Sequence, residues 1–263
     1  MNGRSLLKSL LRATVAAVFW LGIWMLISWR TGSELLFPTP LAVLKALGSL
    51  ACTADFWLTA LYSLVRVILA ILVSLLLGTL LAVVTERFRL LNYILSPMLG
   101  VIKSTPVASF IILALLWISR NTLPVFITAL IVVPIVWSNV SEGIRSVDND
   151  LVQVAKIYGF TAKQKILRLY VPSIAPFFMA ACKSSLGMAW KAGISAEVLS
   201  TPERAIGTEL YFSKTYLETP SLFAWTVVII ILSVLIEKLF VLGFERIGER
   251  MRFFVKGDGN DKD

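Results

Sequence analysis

Long apolar stretches are the feature of this sequence that most constrains its fold. A helix needs about 20 mostly apolar residues to cross the hydrocarbon core of a bilayer. Six stretches approach or exceed this length, near residues 14–29, 59–85, 93–118, 123–140, 174–194 and 221–244. Charged residues make up only 16% of the chain, against about a quarter in soluble domains. The sequence therefore predicts an all-α integral membrane protein with about six transmembrane helices.

Several kinds of chemistry are excluded by what the sequence lacks. It contains no histidine, which rules out Ser-His and Cys-His triads and histidine-containing zinc sites. Its two cysteines, Cys52 and Cys182, are interpreted as unpaired small apolar residues. It also has no Gly-rich phosphate loop of the G-x-x-x-x-G-K-[ST] type. We therefore expect no catalytic residues, no metal, no cofactor and no ATP hydrolysis by this chain itself.

The distribution of Lys and Arg predicts the orientation in the membrane. If the N-terminus is inside, the inner segments hold 15 of these residues and the outer segments hold 5, the asymmetry of the positive-inside rule. We therefore expect a multi-pass protein of the cell membrane with both termini cytoplasmic. Residues 1–13 and 247–263 would be the cytoplasmic termini, residues 14–246 the membrane domain, and residues 36–50 a short amphipathic outer helix. The net charge of +9 then reflects basic loops facing anionic lipid and does not indicate nucleic acid.

The inner loop at residues 141–173, between the fourth and fifth spans, has helical signals of its own. Asp148 is a predicted N-cap, and the apolar stripe Leu151, Val154, Ala155 and Tyr158 follows at helical spacing. Gly159 should end this first helix. A capping box over residues 161–164 should begin a second helix, and we expect Pro172 to end it. An interfacial helix lying on lipid headgroups would show the same amphipathic pattern.

The same loop resembles a known signature. It contains Gln153-Val154-Ala155, then Gly159, then Leu169-Tyr170-Val171-Pro172. This spacing resembles the E-A-A-x3-G-x9-I-x-L-P signature of binding-protein-dependent (ABC) importer permeases, with four letters changed, at Gln153, Val154, Leu169 and Val171. Ala189-Trp190, Ala196-Glu197 and Gly207 are similar to the nitrate, sulfonate and taurine branch of that family. The resemblance covers roughly residues 37–246.

The resemblance implies a function and a set of partners. In that family the loop is a pair of coupling helices that dock on a separate ATPase, so the implied coupling residues are Gln153, Val154, Ala155, Tyr158, Gly159, Leu169 and Pro172. The implied assembly has two ATPase subunits that bind ATP, a second permease subunit (a homodimer being the simpler expectation) and an extracellular or periplasmic substrate-binding protein.

Charged residues inside the predicted spans are candidate pathway residues, because such charges are costly in a bilayer. Arg66 is expected to snorkel to a headgroup, and Lys183 to need a partner. Pro106 should kink or unwind the third span, and broken helices often line the solute path of transporters. The candidate pathway residues in the third and fifth spans are Lys103, Ser104, Thr105, Pro106, Trp190, Lys191 and Glu197.

The identity of the solute stays open at this stage. Lys103 and Lys191 would favour a small anion such as nitrate, a sulfonate, taurine or bicarbonate, whereas similar permeases also carry pyrimidine or thiamine-type vitamin precursors. A gradient-driven transporter would be expected to carry Asp or Glu near mid-membrane, but Glu237 is the only carboxylate inside the predicted spans. An intramembrane enzyme would need a nucleophile–base pair or a metal cluster. A vitamin-uptake complex with a different coupling arrangement would not show the glycine spacing.

Overall fold

The computed structural model describes residues 3–257, and every regular element in this part of the chain is a helix. The helices are α1 (Gly3–Thr31), α2 (Pro40–Ala51), α3 (Ala54–Arg87), α4 (Arg89–Ser104), α5 (Val107–Ala114), α6 (Leu123–Arg145), α7 (Asn149–Ile157), α8 (Ala162–Lys165), a π-helical turn (Ile166–Tyr170), α9 (Val171–Ser200), α10 (Ile206–Thr215) and α11 (Thr219–Gly257). The polar tail predicted to fray lies, beyond Gly257, outside the described residues.

Five of these helices are long and apolar enough to cross a membrane. They are α1, α3, α6, α11 and the continuous helix Ala162–Ser200. The third predicted span, residues 93–118, is broken at Pro106, and the predicted kink or unwinding there is confirmed. The span is divided into α4 and α5, which meet at an angle of 105°. Pro106 has no amide hydrogen to continue the helix, and it holds the preceding Thr105 in an extended conformation (φ −85°, ψ 136°).

The core is a bundle of α3, α6 and α9. Trp137 of α6 donates a hydrogen bond from Nε1 to Thr85 Oγ1 of α3 at 2.8 Å, and Arg145 at the end of α6 meets Glu86 at the end of α3, so these two helices run parallel. A Cβ at Gly193 of α9 would lie 2.8 Å from Val67 of α3, and a Cβ at Gly143 would lie 3.0 Å from Phe177. Helix α9 is therefore antiparallel to α3 and α6.

These helix directions define two ends of the bundle, the α7–α8 end and the α10 end. The α7–α8 end carries the last turns of α3 and α6 and the beginning of α9. The α10 end carries α2, α10, the first turns of α3 and the end of α9. Helix α1 ends and α11 begins at the α10 end, where the indole Nε1 of Trp24 donates to Pro38 O at 3.0 Å and Phe37 packs edge-on against Phe223. The beginning of α1 and the end of α11 are thus directed toward the α7–α8 end.

The short helix predicted near residues 36–50 is confirmed as α2, whose N-cap is Thr39. The Ala42 amide donates to Thr39 Oγ1 at 3.1 Å, and Pro40 occupies the first turn, where proline is tolerated because its missing N–H would be unpaired anyway. Its one fully buried side chain is Val43.

The predicted helix end at Pro172 is wrong. The helix runs on through Pro172 as part of α9, after the π-helical turn Ile166–Tyr170. Proline in a regular helix removes one hydrogen bond and its ring clashes with the carbonyl four residues earlier. In the π-helical turn the Val171 amide donates to Ile166 O, five residues back, and this wider turn accommodates the ring. The second loop helix and the fifth span are therefore mechanically continuous.

Candidate functional site

The first loop helix, α7, is fixed at both ends by local contacts. Asp148 accepts a hydrogen bond from the Asp150 amide at 2.8 Å, and Asp150 adds negative charge in the first turn, where the helix dipole favours it. At the other end the Phe160 amide donates to Ala155 O at 2.9 Å and the Gly159 amide donates to Lys156 O at 3.2 Å. This pair of bonds is the Schellman motif, and Gly159 supplies the φ of +66° that it requires. The predicted N-cap and glycine stop are confirmed.

The second loop helix, α8, begins with the predicted capping box, which is confirmed. Gln164 N donates to Thr161 Oγ1 at 3.3 Å, and Thr161 N donates to Gln164 Oε1 at 2.8 Å. These reciprocal bonds satisfy two amides that a helix start otherwise leaves unpaired. The two loop helices are thus joined by a tight turn with both flanking ends closed.

The loop helices leave apolar side chains exposed within this chain. Of the predicted stripe, only Ala155 is buried, whereas Leu151, Val154 and Tyr158 are exposed. Ile157 is 82% exposed and Tyr158 is 77% exposed, side by side at the turn. Ile157 lies just outside the predicted stripe. Gln153 and Gly159 are also exposed, and Leu169 and Pro172 are partly buried. The arrangement is an apolar protrusion whose shape is set by the backbone caps.

An ion pair ties the base of this protrusion to the bundle. Arg145 donates from Nε and Nη2 to Glu86 Oε1, at 2.9 and 2.6 Å. Arg145 is the last residue of α6, and Glu86 belongs to the last turn of α3. The pair therefore fixes the point from which the loop leaves the bundle.

The predicted pathway residues of the third span lie at the break between α4 and α5. Lys103, Ser104 and Pro106 are exposed and Thr105 is partly buried. The Lys103 Nζ lies 6.0 Å from the centre of the Trp137 ring, at the outer limit of a cation–π contact. The break therefore presents a cation and two hydroxyl groups on the surface of this chain, beside α6.

Helix α9 has one exposed face that is too polar for a lipid-facing surface. Its exposed positions recur at helical spacing and include Lys183, Ser184, Gly187, Lys191 and Ser195. We call these five residues the α9 polar face. Lys183 and Lys191 are two turns apart on it. The predicted pathway residues Trp190 and Glu197 lie elsewhere, because both are buried in the core of the chain at 3% and 0% exposure.

Glu197 is the centre of a contact set that the sequence analysis missed. Its Oε1 accepts from Arg66 Nη1 at 3.0 Å, and its Oε2 accepts from Ser63 Oγ at 2.8 Å and from Gly207 N at 3.2 Å. We call Ser63, Arg66, Glu197 and the backbone of residues 203–207 the polar clamp. The expectation that Arg66 snorkels to a headgroup is wrong, since a buried carboxylate binds it. Glu197 also lies within a membrane-spanning helix, because α9 continues past the predicted end of the fifth span to Ser200.

No metal centre accompanies these features in the part of the chain that is described. Within residues 3–257 no three His, Cys, Asp or Glu side chains are grouped as metal ligands would be. The features described above are an exposed apolar loop, fixed charges and a broken helix.

Comparison with known proteins identifies the family. Residues 74–252 match the family described as "Binding-protein-dependent transport system inner membrane component", which is well over half of the chain. The chain belongs to this family of ABC importer permeases. The matched region includes α7, the Gly159 turn, α8 and all of α9, so the resemblance seen in the loop is confirmed over a much longer segment.

Curated permeases similar to this chain come from the branch that the sequence predicted. The nitrate import permease protein NrtB of Synechococcus elongatus is 28% identical over 73% of this chain and 73% of its own length. The taurine transport system permease protein TauC of Escherichia coli is 24% identical over 81% of this chain and 80% of its own. The putative aliphatic sulfonates transport permease protein SsuC of Bacillus subtilis is also 24% identical, over 81% and 77%.

A solved structure supports the fold of the permease. A bacterial ABC transporter involved in the import of the acidic polysaccharide alginate has a chain that superposes with a TM-score of 0.65, covering 92% of this permease and 99% of that chain at 16% identity. At this identity the likeness concerns the fold alone. It is consistent with a multi-pass membrane permease, built from apolar helices like the five described above.

Proposed function

We propose that this permease forms half of a solute pathway and is driven by a separate ATPase that docks on α7 and α8. The observation that carries the proposal is the exposed apolar pair Ile157 and Tyr158 beside the Gly159 turn. Exposed apolar side chains held on a closed turn are typical of a surface that a partner covers. The α7–α8 end and both termini would then face the cytoplasm of a cell whose plasma membrane holds the permease.

The mechanism follows from the continuity of the helices. Movement of α8 by the ATPase would pass directly into α9, because the π-helical turn joins them without a break. Two ATPase subunits closing on ATP would bring the coupling helices of two permease subunits together and open the pathway to the outside. ATP would be bound and hydrolysed by the partner. A binding protein would deliver the solute; a similar solved transporter is in complex with a periplasmic protein.

A small anion is the solute class that the charges favour. The α9 polar face carries Lys183 and Lys191, and none of its five residues is a carboxylate. The break after α4 adds a third cation, Lys103. A fixed cation in a low-dielectric pathway lowers the barrier for an anion. Relatives are named for nitrate, sulfonates, taurine and bicarbonate. One relative is named for glycine betaine and carnitine, so a zwitterion is a competing solute. The vitamin precursor considered from the sequence is the other alternative.

The docking proposal is tested by one matched pair of variants. Ile157→Glu places a charge in the apolar pair, and Ile157→Leu keeps an apolar side chain of similar size. Both should fold, because Ile157 is 82% exposed and surface changes of this kind usually alter stability by less than about 0.5 kcal/mol. The ATPase should co-purify with the wild type and Ile157→Leu but not with Ile157→Glu. Equal recovery with both variants, or no ATPase even with the wild type after crosslinking in native membranes, would overturn the proposal.

The solute proposal is tested on the assembled importer in vesicles. The double variant Lys183→Gln and Lys191→Gln removes both charges of the α9 polar face, and Lys214→Gln removes an exposed lysine of α10 as the control. We expect anion uptake to fall strongly in the double variant and to be unchanged in the control, with ATPase recovery unaffected in both. Unchanged anion uptake in the double variant would count against an anion pathway along α9.

A further inference from the structure

We propose that Arg66 and Glu197 are positioning residues that bind α10, and the loop before it, rigidly to α3 and α9. The polar clamp would then make these segments move as one unit at the α10 end of the bundle. The part of this proposal that concerns transport rests on the proposed function, whereas the part that concerns the position of α10 does not. No solute contact is assigned to either residue.

The carboxylate of Glu197 is fully occupied by groups of this chain. It is 0% exposed, and both of its oxygens accept hydrogen bonds, from Arg66 and from Ser63 together with the Gly207 amide. A buried carboxylate is tolerated only when it is paired and hydrogen-bonded. Since these contacts use both oxygens and the group is shielded from solvent, Glu197 has the properties of a structural anchor and not those of a solute site.

The remaining donors of the polar clamp bind the backbone of the loop. Arg66 Nη2 donates to Glu203 O at 2.6 Å, and Arg66 Nη1 also approaches Arg204 O at 3.4 Å. Ser63 Oγ accepts from the Ile206 amide at 2.9 Å. Residues 203–206, which lead into α10, are thereby attached to two side chains of α3 that are one turn apart.

The loop held in this way is a strained one. Thr201 and Arg204 both have a φ of +47°, a region that residues with a side chain rarely adopt. Such conformations persist where surrounding contacts enforce them. Further contacts come from Asn121, whose Oδ1 accepts from Glu203 N at 3.0 Å, and from Thr208, whose Oγ1 donates to Pro202 O at 2.6 Å.

Gly207 allows the close approach on which the polar clamp depends. A Cβ at this position would lie 2.4 Å from Glu197 Cβ and 2.5 Å from Val198 N. Both are far shorter than any real contact, and one of the atoms belongs to the backbone of α9. The first turn of α10 is therefore packed directly on the last turns of α9, and a glycine is required at this point.

The position of the polar clamp explains why such an anchor would matter for transport. Helix α9 has 30 residues and so extends about 45 Å. It begins at the π-helical turn that continues α8, and Glu197 lies in its last turn. A displacement of α8 would move the end of α9, and the polar clamp would carry α10 with it. Without the clamp, α10 would be free to lag behind the helix that drives it.

The experiment uses the full importer and a cysteine reporter on α10. Cys52 and Cys182 are replaced by serine and alanine, and Ser213→Cys is introduced at a position of α10 that is 6% exposed. In this background Glu197→Gln keeps the shape of the side chain but removes the charge. Arg66→Lys keeps the charge but cannot reproduce the fork that contacts the loop carbonyls. Glu34→Gln is the matched control, because Glu34 is exposed between α1 and α2 and takes no part in the polar clamp.

We expect a water-soluble maleimide to label the reporter about tenfold faster in Glu197→Gln and Arg66→Lys, because α10 opens locally more often. Solute uptake should fall in both variants while ATPase co-purification is retained, and Glu34→Gln should behave as the wild type in every assay. The conservative Arg66→Lys variant covers the case in which Glu197→Gln does not fold.

Two results would overturn the inference. Unchanged labelling together with lost uptake would show that the pair acts on the solute and not on the position of α10. Unchanged labelling and unchanged uptake would show that the polar clamp is dispensable. The labelling assay does not depend on transport, so a failure of the proposed function would leave it interpretable.

Discussion

The two ends of the bundle are stabilised in different ways. At the α7–α8 end, the caps at Asp148, Gly159 and Thr161 join atoms at most five residues apart, and apolar side chains remain exposed. At the α10 end, the polar clamp joins Arg66 and Ser63 to Glu197, which are separated by 131 and 134 residues, and buries a charge completely. The loop helices of the first end are capped locally and leave apolar side chains exposed, whereas the second end is closed by buried contacts within the chain.

The largest expected effect compares the ion pairs at the two ends. Arg66→Ala leaves Glu197 buried and unpaired, which should cost about 3–5 kcal/mol of stability. Arg145→Ala breaks a pair whose arginine side chain is 54% exposed, which should cost less than about 1 kcal/mol. Thermal unfolding of both variants in the same detergent measures the difference.

A double variant separates the charge from the packing of the arginine stem. Adding Glu197→Gln to Arg66→Ala removes the uncompensated charge, so part of the lost stability should return. If Arg145→Ala proved as damaging as Arg66→Ala, the distinction between an exposed and a buried ion pair would fail.

The next prediction compares a glycine at each end. Gly207→Ala forces a Cβ to 2.5 Å from Val198 N and 2.6 Å from Glu197 C, both backbone atoms, so we expect a loss of about 3 kcal/mol, the upper end of the usual cost of overpacking. At Gly159 a Cβ would meet nothing within 4 Å. Gly159→Ala should therefore lose only the free energy needed to hold an alanine in the left-handed conformation, about 1–2 kcal/mol of stability.

Gly48→Ala in α2 is the control for both glycine variants. Its Cβ would also meet nothing within 4 Å, and its φ is not positive, so the higher helix propensity of alanine should stabilise the permease by up to about 1 kcal/mol. Thermal unfolding of the three variants should give the order Gly48→Ala, Gly159→Ala, Gly207→Ala from most to least stable. An equal loss at Gly159 and Gly207 would contradict the close approach seen at Gly207.

Local signals explain why the α7–α8 end could be predicted from the sequence. The N-cap, the Schellman glycine and the capping box each depend on residues within one or two turns, and all three are confirmed. The error at Pro172 arose because proline was interpreted as a helix end. The helix instead continues through Pro172, because the π-helical turn, in which the Val171 amide donates to Ile166 O, accommodates the proline ring.

Long-range pairing explains why the polar clamp could not be predicted. One sequence does not show which of several distant carboxylates binds Arg66. Two signals were nevertheless present, a cation inside a span that needs a partner and a carboxylate three residues beyond the predicted end of the fifth span at residue 194. Because helix ends are the least certain part of such predictions, extending that span by one turn would have brought Glu197 into the fifth span.

The smallest expected effect concerns Glu209, in the first turn of α10. Burial, chiefly, and the nearby Asp55 and Glu218 carboxylates raise the pKa of Glu209 above its usual 4.5. The folded permease therefore holds this proton more tightly than the unfolded chain, and its stability falls as pH rises from 4.5 through the raised pKa. Glu209→Gln should flatten this decline and stabilise the permease at neutral pH by no more than about 0.5 kcal/mol, since Glu209 is only partly buried.

Glu218→Gln, which removes one neighbouring charge and leaves Glu209 buried, should act in the same direction but less. Unfolding temperatures of the three proteins across this pH range test the sign. A difference between wild type and Glu209→Gln that stays constant with pH would show that protonation of Glu209 does not contribute to the stability of the α10 end.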